Sequence, residues 1–197
     1  MKLWATSLGR NLTEEENCAL LAHLPPKRQE RLKKRTDKTA WREPLCAYGL
    51  LRLALGETWG WRELPALELT ERGKPAFPAY PTVTFNVSHT EGGVLVGLGR
   101  TPIGVDLERR RPANKRVQHR LESTGQTLEE YYDDWVRYEA SVKQKGTGVR
   151  PHHEPAEAAD AELIQLLSGF SAAVCGEPVT ELRILTLDEL LEGLKNL

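Results

Sequence analysis

Apolar and polar positions along the chain divide it into short segments of distinct period. Leu3 to Leu8 reads as an opening strand. Thr13 ahead of Glu14, Glu15 and Glu16 is a helix start, because a hydroxyl cap satisfies a free amide and an acidic first turn complements the helix dipole. That helix is predicted to reach about Leu24, where Pro25-Pro26 stops it, and a strongly basic segment follows through Arg35. Pro44 stands where a first-turn proline is tolerated, and Leu45, Cys46, Ala47, Tyr48, Leu50, Leu51 and Leu53 to Leu55 are apolar nearly all round. This predicts a buried helix ending near Gly56. From Gly73 the pattern changes to short β-branched runs, Val83–Val87, Val94–Leu98 and Ile103–Leu107, separated by turn residues at Gly92-Gly93 and Thr101-Pro102. Residues 109–125, between breakers Pro112 and Gly125, read as a loop or mobile lid. A helix is predicted over Leu128–Lys145. Strands over Glu162–Leu167 and Phe170–Cys175 flank Ser168-Gly169 as a two-residue turn. A strand at Leu182–Leu185 and a short helix at Asp188–Leu194 close the chain. Helices mixed with antiparallel-looking strands predict an α+β fold. No internal sequence repeat is visible.

Composition narrows the class. The chain has 197 residues, enough for one domain or two small, closely packed halves, and 40% of them are hydrophobic. No run approaches the roughly 20 apolar residues of a membrane span, and the opening strand is cut by Arg10 before it could serve as a secretory signal. The expectation is a cytoplasmic protein with no membrane role. Cys18, Cys46 and Cys175 are odd in number and widely spaced, so neither a disulfide framework nor a zinc site is predicted. The formal net charge of −1 excludes a uniformly basic nucleic-acid binder. The sum conceals an asymmetry: residues 27–42 carry eight basic side chains against Glu30 and Asp37, whereas residues 151–197 carry nine acidic ones against Arg183 and Lys195.

Three groups of residues could carry chemistry. Asp106 and Glu108, two apart on a predicted strand, project from one face. Such a pair suits Mg²⁺, which takes one or two protein carboxylates and fills its shell with water and phosphate oxygens, but it equally describes a solvated strand face. Trp135, Glu139 and Lys143 fall at intervals of four on the helix from Leu128. Alone, Glu139 and Lys143 are a surface ion pair; Trp135 on the same stripe argues that the stripe is partly buried. Phe85-Asn86-Val87-Ser88-His89 ends a strand in polar side chains of the kind that contact phosphates. Ser88-His89 lacks an orienting acid and an oxyanion site, so a hydrolase triad is rejected.

Taken in order, Gly73-Lys74-Pro75, Phe85-Asn86-Val87-Ser88-His89, Gly104-Val105-Asp106-Leu107-Glu108, and Trp135 with Glu139-Ala140-Ser141-Val142-Lys143 resemble the 4′-phosphopantetheinyl transferases. The likeness is to the branch in which one chain carries two pseudo-symmetric halves and activates peptide synthetases, and it spans nearly the whole length. It implies two α+β halves, residues 1–101 and 102–197, each a small antiparallel sheet packed with helices, with the active site in the cleft between them. The implied reaction moves the phosphopantetheine arm of coenzyme A to a serine of an apo acyl or peptidyl carrier protein and releases adenosine 3′,5′-bisphosphate. Asp106, Glu108 and Glu139 match the family's acidic positions and would hold Mg²⁺, or Mn²⁺, with the pyrophosphate. Glu139 would be the base for the serine hydroxyl and Lys143 would steady charge on the departing phosphate. Ser88 and His89 match pyrophosphate contacts, Lys74 and Pro75 the loop beside the adenine, and Lys27, with Arg42 nearby, the basic contact to the 3′-phosphate. Since both halves of the site lie in one chain, a monomer is expected.

The match departs from the family pattern in places. Tyr138 stands where the best-known pattern has Lys, so either another basic side chain compensates or catalysis weakens. Glu30 takes a position where a second basic contact is expected, and Arg31 could serve instead. The stretch from Glu108 to Glu139 is short, which would leave carrier recognition to Arg109, Arg110, Arg111, Lys115 and Arg116, apt partners for acidic carrier helices. Arg150 to Asp160, with His152-His153, has no clear counterpart. Two other readings are open at this level: a degenerate member that binds coenzyme A or a carrier without efficient transfer, and a nucleic-acid surface built from residues 27–42 and 109–120. The second leaves the spacing of Asp106, Glu108, Glu139 and Lys143 unexplained.

Overall fold

The computed structural model describes residues 1–71, 73–147 and 160–197. The sequence element at 150–159, including His152-His153, lies outside them. The chain runs β1 (Lys2–Ser7), α1 (Glu14–Ala22), α2 (Pro26–Lys33), a 3₁₀ turn (Lys38–Trp41), α3 (Arg42–Trp59), β2 (Glu68–Leu69), β3 (Pro75–Ala76), β4 (Thr84–Thr90) and β5 (Gly93–Gly99). It continues with β6 (Gly104–Arg109), α4 (Lys115–Thr124), α5 (Leu128–Lys145), β7 (Ala161–Leu163), β8 (Phe170–Cys175), β9 (Glu181–Thr186) and α6 (Leu187–Lys195). The fold is α+β.

Strand order exposes a repeat that the sequence hides. The first sheet is ordered β4-β5-β1-β9 and the second β6-β8-β7. In each half an opening strand leads to an 18-residue helix, α3 or α5. An antiparallel hairpin follows, and its second strand pairs antiparallel with the opening one, β5 with β1 and β8 with β6. The chain then returns: β9 adds in parallel to the free edge of β1, placing Leu182 beside Leu3 and Ile184 beside Ala5. The first sheet is therefore mixed rather than antiparallel, and β9 with α6 packs on the first half.

Burial follows the periodicity. α3 is buried along Leu45–Ala47, Leu50–Leu51 and Leu53–Leu55 and forms the largest core with Trp4, Phe77, Phe85, Val94 and Val96. A second core lies between the sheets, where Leu3, Ala5 and Leu95 meet Ile103, Val105, Leu107 and Val174. α1 opens with a capping box, Thr13 accepting from Glu16 N while the Glu16 carboxylate accepts from Thr13 N. Thr127 does the same for α5. No helix among the described residues is long and apolar enough to cross a membrane.

Two sequence expectations change. Residues 109–125 are not one loop: Asn114 caps α4 by accepting from Arg116 N and Val117 N, and Gly125 ends it in the left-handed conformation. None of α4 is fully buried: Val117 and Leu121, four apart, share a half-buried face with Arg120, a stripe of only two apolar side chains. The turn at Ser168-Gly169 forms, with Phe170 N donating to Leu167 O, but β7 covers only Ala161–Leu163; Ile164 N still donates to Ala172 O at 3.0 Å, and Ile164, Leu166 and Leu167 pack on the second core.

Candidate functional site

The site is assembled where edge strand β4 of the first sheet runs beside edge strand β6 of the second. Side chains of a strand alternate between faces, and β4 uses both. Phe85, Val87 and His89 face one way, into a cavity of about 250 Å³ also lined by Arg28, Arg31, Arg35 and Tyr48. Asn86, Ser88 and Thr90 face the other way, onto β6.

On the β6 side, Asp106 is almost fully buried. Its Oδ1 accepts from Ser88 Oγ at 2.7 Å and from Lys143 Nζ at 2.5 Å, while Oδ2 has no hydrogen-bond partner among the described residues. Lys143 also donates to Ser88 Oγ at 3.1 Å. Glu108 accepts from Thr90 Oγ1 at 3.1 Å. The half-buried Glu139 completes the group: burial, and then the neighbouring Asp106 charge, raise both its carboxyl and that of Glu108 above the ordinary glutamate range. Lys143 thus pairs with Asp106 rather than with Glu139 as a surface pair. Trp135, Glu139 and Lys143 are all half-buried, as their shared stripe implied.

α5 reaches this position because β6 begins with glycine. A Cβ on Gly104 would lie 1.9 Å from the Ala140 carbonyl oxygen and 2.5 Å from Gln144 N, so only glycine lets the helix backbone press onto the strand. Lys74 locks the same crossing. Its ammonium donates to the carbonyls of Ile103 (2.8 Å) and Lys143 (3.0 Å), and burial lowers its pKa. Lys74 and Pro75 also line a neighbouring cavity of about 470 Å³ with Phe77, Phe85, Gln144 and Lys145.

On the other side, Arg28, Arg31 and Leu32 of α2 and Arg35 just past its end follow one another at helical spacing and line the cavity with His89, the Arg35 guanidinium also donating to Ala40 O at 3.1 Å. Arg28 stacks over the Tyr48 ring at 5.7 Å. His89 opens to solvent, yet the surrounding protein lowers its imidazole pKa, an effect Glu43 partly offsets. Lys27 is exposed and does not line the cavity. Arg42 is engaged elsewhere, by Glu43 at 2.6 Å and by Asn11 Oδ1 at 3.1 Å. Glu43 in turn accepts from Gly92 N at 3.2 Å and ties the β4–β5 turn to α3. Sequence reading assigned no separate role to Arg28, Arg35, Asn86 and Thr90, although their spacing of three, four and two residues was a usable signal.

No protein-family model matches the chain. Among curated proteins, it is 32% identical over 139 residues to the 4′-phosphopantetheinyl transferase AcpT of Escherichia coli, covering 64% of this chain and 67% of the relative. The chain belongs to the 4′-phosphopantetheinyl transferase family. It is also 25% identical over 161 residues to the 4′-phosphopantetheinyl transferase Sfp of Bacillus subtilis, covering 76% of this chain and 72% of that protein. A shorter match, 31% over 97 residues, is to AcpT of Salmonella typhimurium. As a 4′-phosphopantetheinyl transferase the chain is an enzyme that acts on coenzyme A, and the acidic group beside a basic cavity is the chemistry such a substrate requires.

Among the described residues no group of three or more His, Cys, Asp or Glu side chains stands ready-made to hold a metal ion. The residues nonetheless fit a hard divalent cation. Asp106 Oδ2 is a buried anionic oxygen without a donor, and Glu108 and Glu139, both close enough to feel the Asp106 charge, offer further hard oxygens. Tyr138, the departure from the family pattern, points away from solvent: it is 1% exposed and lies 6.1 Å from the Trp135 ring, in packing where a lysine charge would be costly. The guanidinium of Arg111 lies near the acidic group, donating to Thr90 Oγ1 of β4 at 3.3 Å and favouring the ionised form of Glu108.

Proposed function

We propose that this enzyme transfers the 4′-phosphopantetheine arm of coenzyme A to a serine of an apo acyl or peptidyl carrier protein in the cleft between β4, β6 and α5. The observation that carries the reading is the partition of β4, with an arginine-lined cavity on one face and Asp106, Glu108, Glu139 and Lys143 on the other. Coenzyme A has matching parts, a 3′-phosphate and a pyrophosphate. Arg28, Arg31 and Arg35 would receive the 3′-phosphate with His89 beside it, and Lys27 on the exposed side of the same helix would add attraction. The apolar cavity by Pro75, Phe77 and Phe85 suits the adenine ring.

Asp106, Glu108 and Glu139 would hold Mg²⁺, or Mn²⁺ in its place. When bound, the ion would supply neutralising charge to the pyrophosphate as the phosphoryl group passes. In the transfer, a bond forms between the carrier serine oxygen and the β-phosphorus, and the bond from that phosphorus to the oxygen retained by adenosine 3′,5′-bisphosphate breaks. Glu139 would take the serine proton as general base. Lys143 steadies charge on the departing phosphate. Lys115 and Arg116 on the exposed side of α4 would face an acidic carrier, whereas Arg109 stacks over Phe170, Arg110 pairs with Glu129 and Arg111 turns to Thr90. A division at residue 101, with β9 and α6 returning to the first half, a cytoplasmic location and a monomeric state complete the reading, the last because both walls of the cleft come from one chain.

Calorimetry tests this. Coenzyme A is expected to bind in a Mg²⁺-dependent manner, and Asp106→Ala should remove the Mg²⁺ dependence and lower turnover at least about 100-fold. An Asp106→Ala protein with normal rate and normal Mg²⁺ dependence contradicts the assignment.

A further inference from the structure

The side chains that β4 turns toward β6 do something a hairpin strand does not ordinarily do. A sheet edge exposes alternate backbone amides that must find acceptors when buried. β6 pairs with β8 along one edge. Along its other edge the amides of Val105, Leu107 and Arg109 donate to side-chain oxygens of β4: Val105 N to Asn86 Oδ1 at 2.9 Å, Leu107 N to Ser88 Oγ at 3.2 Å and Arg109 N to Thr90 Oγ1 at 3.5 Å. The steps of two on each strand match, so Asn86, Ser88 and Thr90 stand in for the missing backbone ladder. All three are buried. They hold the two sheets one side chain apart, where a direct ladder would bring the strands to about 4.8 Å.

Ser88 is fully engaged in this arrangement. A hydroxyl offers one proton and two lone pairs. Its proton goes to Asp106 Oδ1, and its lone pairs accept from Leu107 N and Lys143 Nζ. His89, next in sequence, faces the arginine cavity. Two adjacent strand residues cannot both serve one ligand from the same face.

We infer that Asn86, Ser88 and Thr90 form a positioning seam that fixes the acidic strand against β4, and that Ser88 acts on Asp106 and Lys143 while His89 alone of the pair meets coenzyme A phosphate. The inference rests on the proposed transfer for its ligand, but the seam itself does not. Asn86 sets the start of β6, Ser88 aims Asp106 and Lys143, and Thr90 aims Glu108. None of the three is a catalytic residue in this scheme; each works through a neighbour.

Amide hydrogen exchange on the intact chain and coenzyme A binding with Mg²⁺ present test it together. In Ser88→Ala the Leu107 amide should exchange about tenfold faster or more, while the Kd for coenzyme A stays within about twofold of wild type. Ser88→Thr, which keeps the hydroxyl, should restore slow exchange. Asn86→Leu should likewise free the Val105 amide, and Asn86→Asp, which keeps the acceptor, should protect it. With Mg²⁺ and a carrier, Ser88→Ala should lower kcat while the KM for coenzyme A is retained. Unchanged exchange at Leu107 overturns the seam. A tenfold rise in the coenzyme A Kd of Ser88→Ala overturns the division of labour between Ser88 and His89. If wild-type protein fails to bind coenzyme A, the proposed function fails, and the exchange measurements still decide the seam. Should Ser88→Ala fail to fold, the Asn86 pair carries the same comparison.

Discussion

At the residue scale, the chemistry depends on which way each side chain of β4 and α2 faces. Spacing put Asp106 with Glu108 on one strand face and Glu139 with Lys143 on one helix stripe, but only the resemblance to the transferase family joined the two pairs into one acidic group. The basic contacts were less legible. Lys27 and Arg42 were expected at the phosphate, whereas Arg28, Arg31 and Arg35 line the cavity. In a segment this rich in lysine and arginine, composition says that a phosphate site is near, and only the helix phase says which side chains reach it. His89 gives a pH test of that cavity. The protein packed around it holds its imidazole below the ordinary value although one side opens to solvent, so the free protein favours the neutral ring. A bound phosphate favours the cation and raises the pKa, so binding takes up protons. Affinity for coenzyme A should therefore increase as pH falls through about 7 to 6. Binding enthalpy should also vary with buffer ionisation heat in the direction of proton uptake. Buffer-independent enthalpy in this window, or proton release, contradicts the placement of His89.

At the element scale, the two long helices were legible for different reasons, α3 because it is apolar nearly all round after Pro44 and α5 because of the periodic stripe through Trp135, Glu139 and Lys143. α5 was read to its observed ends. α4 was not, since its stripe is only Val117 and Leu121 among polar and basic residues, although Asn114 and Gly125 bracket it. The contact that matters most joins β6 to α5. Gly104→Ala inserts a methyl group 1.9 Å from a helix carbonyl and should cost about 2–3 kcal/mol, lowering the Tm and displacing Glu139 and Lys143 from Asp106. Gly9→Ala, whose Cβ meets nothing within 4 Å, should change stability by less than about 0.5 kcal/mol. Equal Tm values for the two variants would remove the case for a glycine-dependent crossing. α4 carries a separate prediction. Lys115→Glu with Arg116→Glu should lower kcat/KM for an acidic carrier about tenfold without altering the KM for coenzyme A, and the loss should shrink at high salt. A loss confined to coenzyme A would place these residues in the wrong half of the reaction.

At the scale of the whole molecule, the near-neutral sum of charges separates into a basic side, which suits coenzyme A phosphates and an acidic carrier, and an acidic pocket of Asp106, Glu108 and Glu139. β4 divides them. Fold class was legible from the alternation of helical and strand periods, and the repeated strand–helix–hairpin order was not, because the repeat is one of topology and shares no visible sequence. The parallel addition of β9 was hidden for a similar reason: a strand's local pattern carries no record of its partner. The central claim is a transferase whose two sheets meet at this divided strand. Its most direct test is mass spectrometry of a panel of apo acyl and peptidyl carrier proteins incubated with the enzyme, coenzyme A and Mg²⁺. At least one carrier should gain the mass of a phosphopantetheinyl group on its serine, with adenosine 3′,5′-bisphosphate released in equal amount. No mass gain on any carrier, from folded protein that binds coenzyme A, would contradict it.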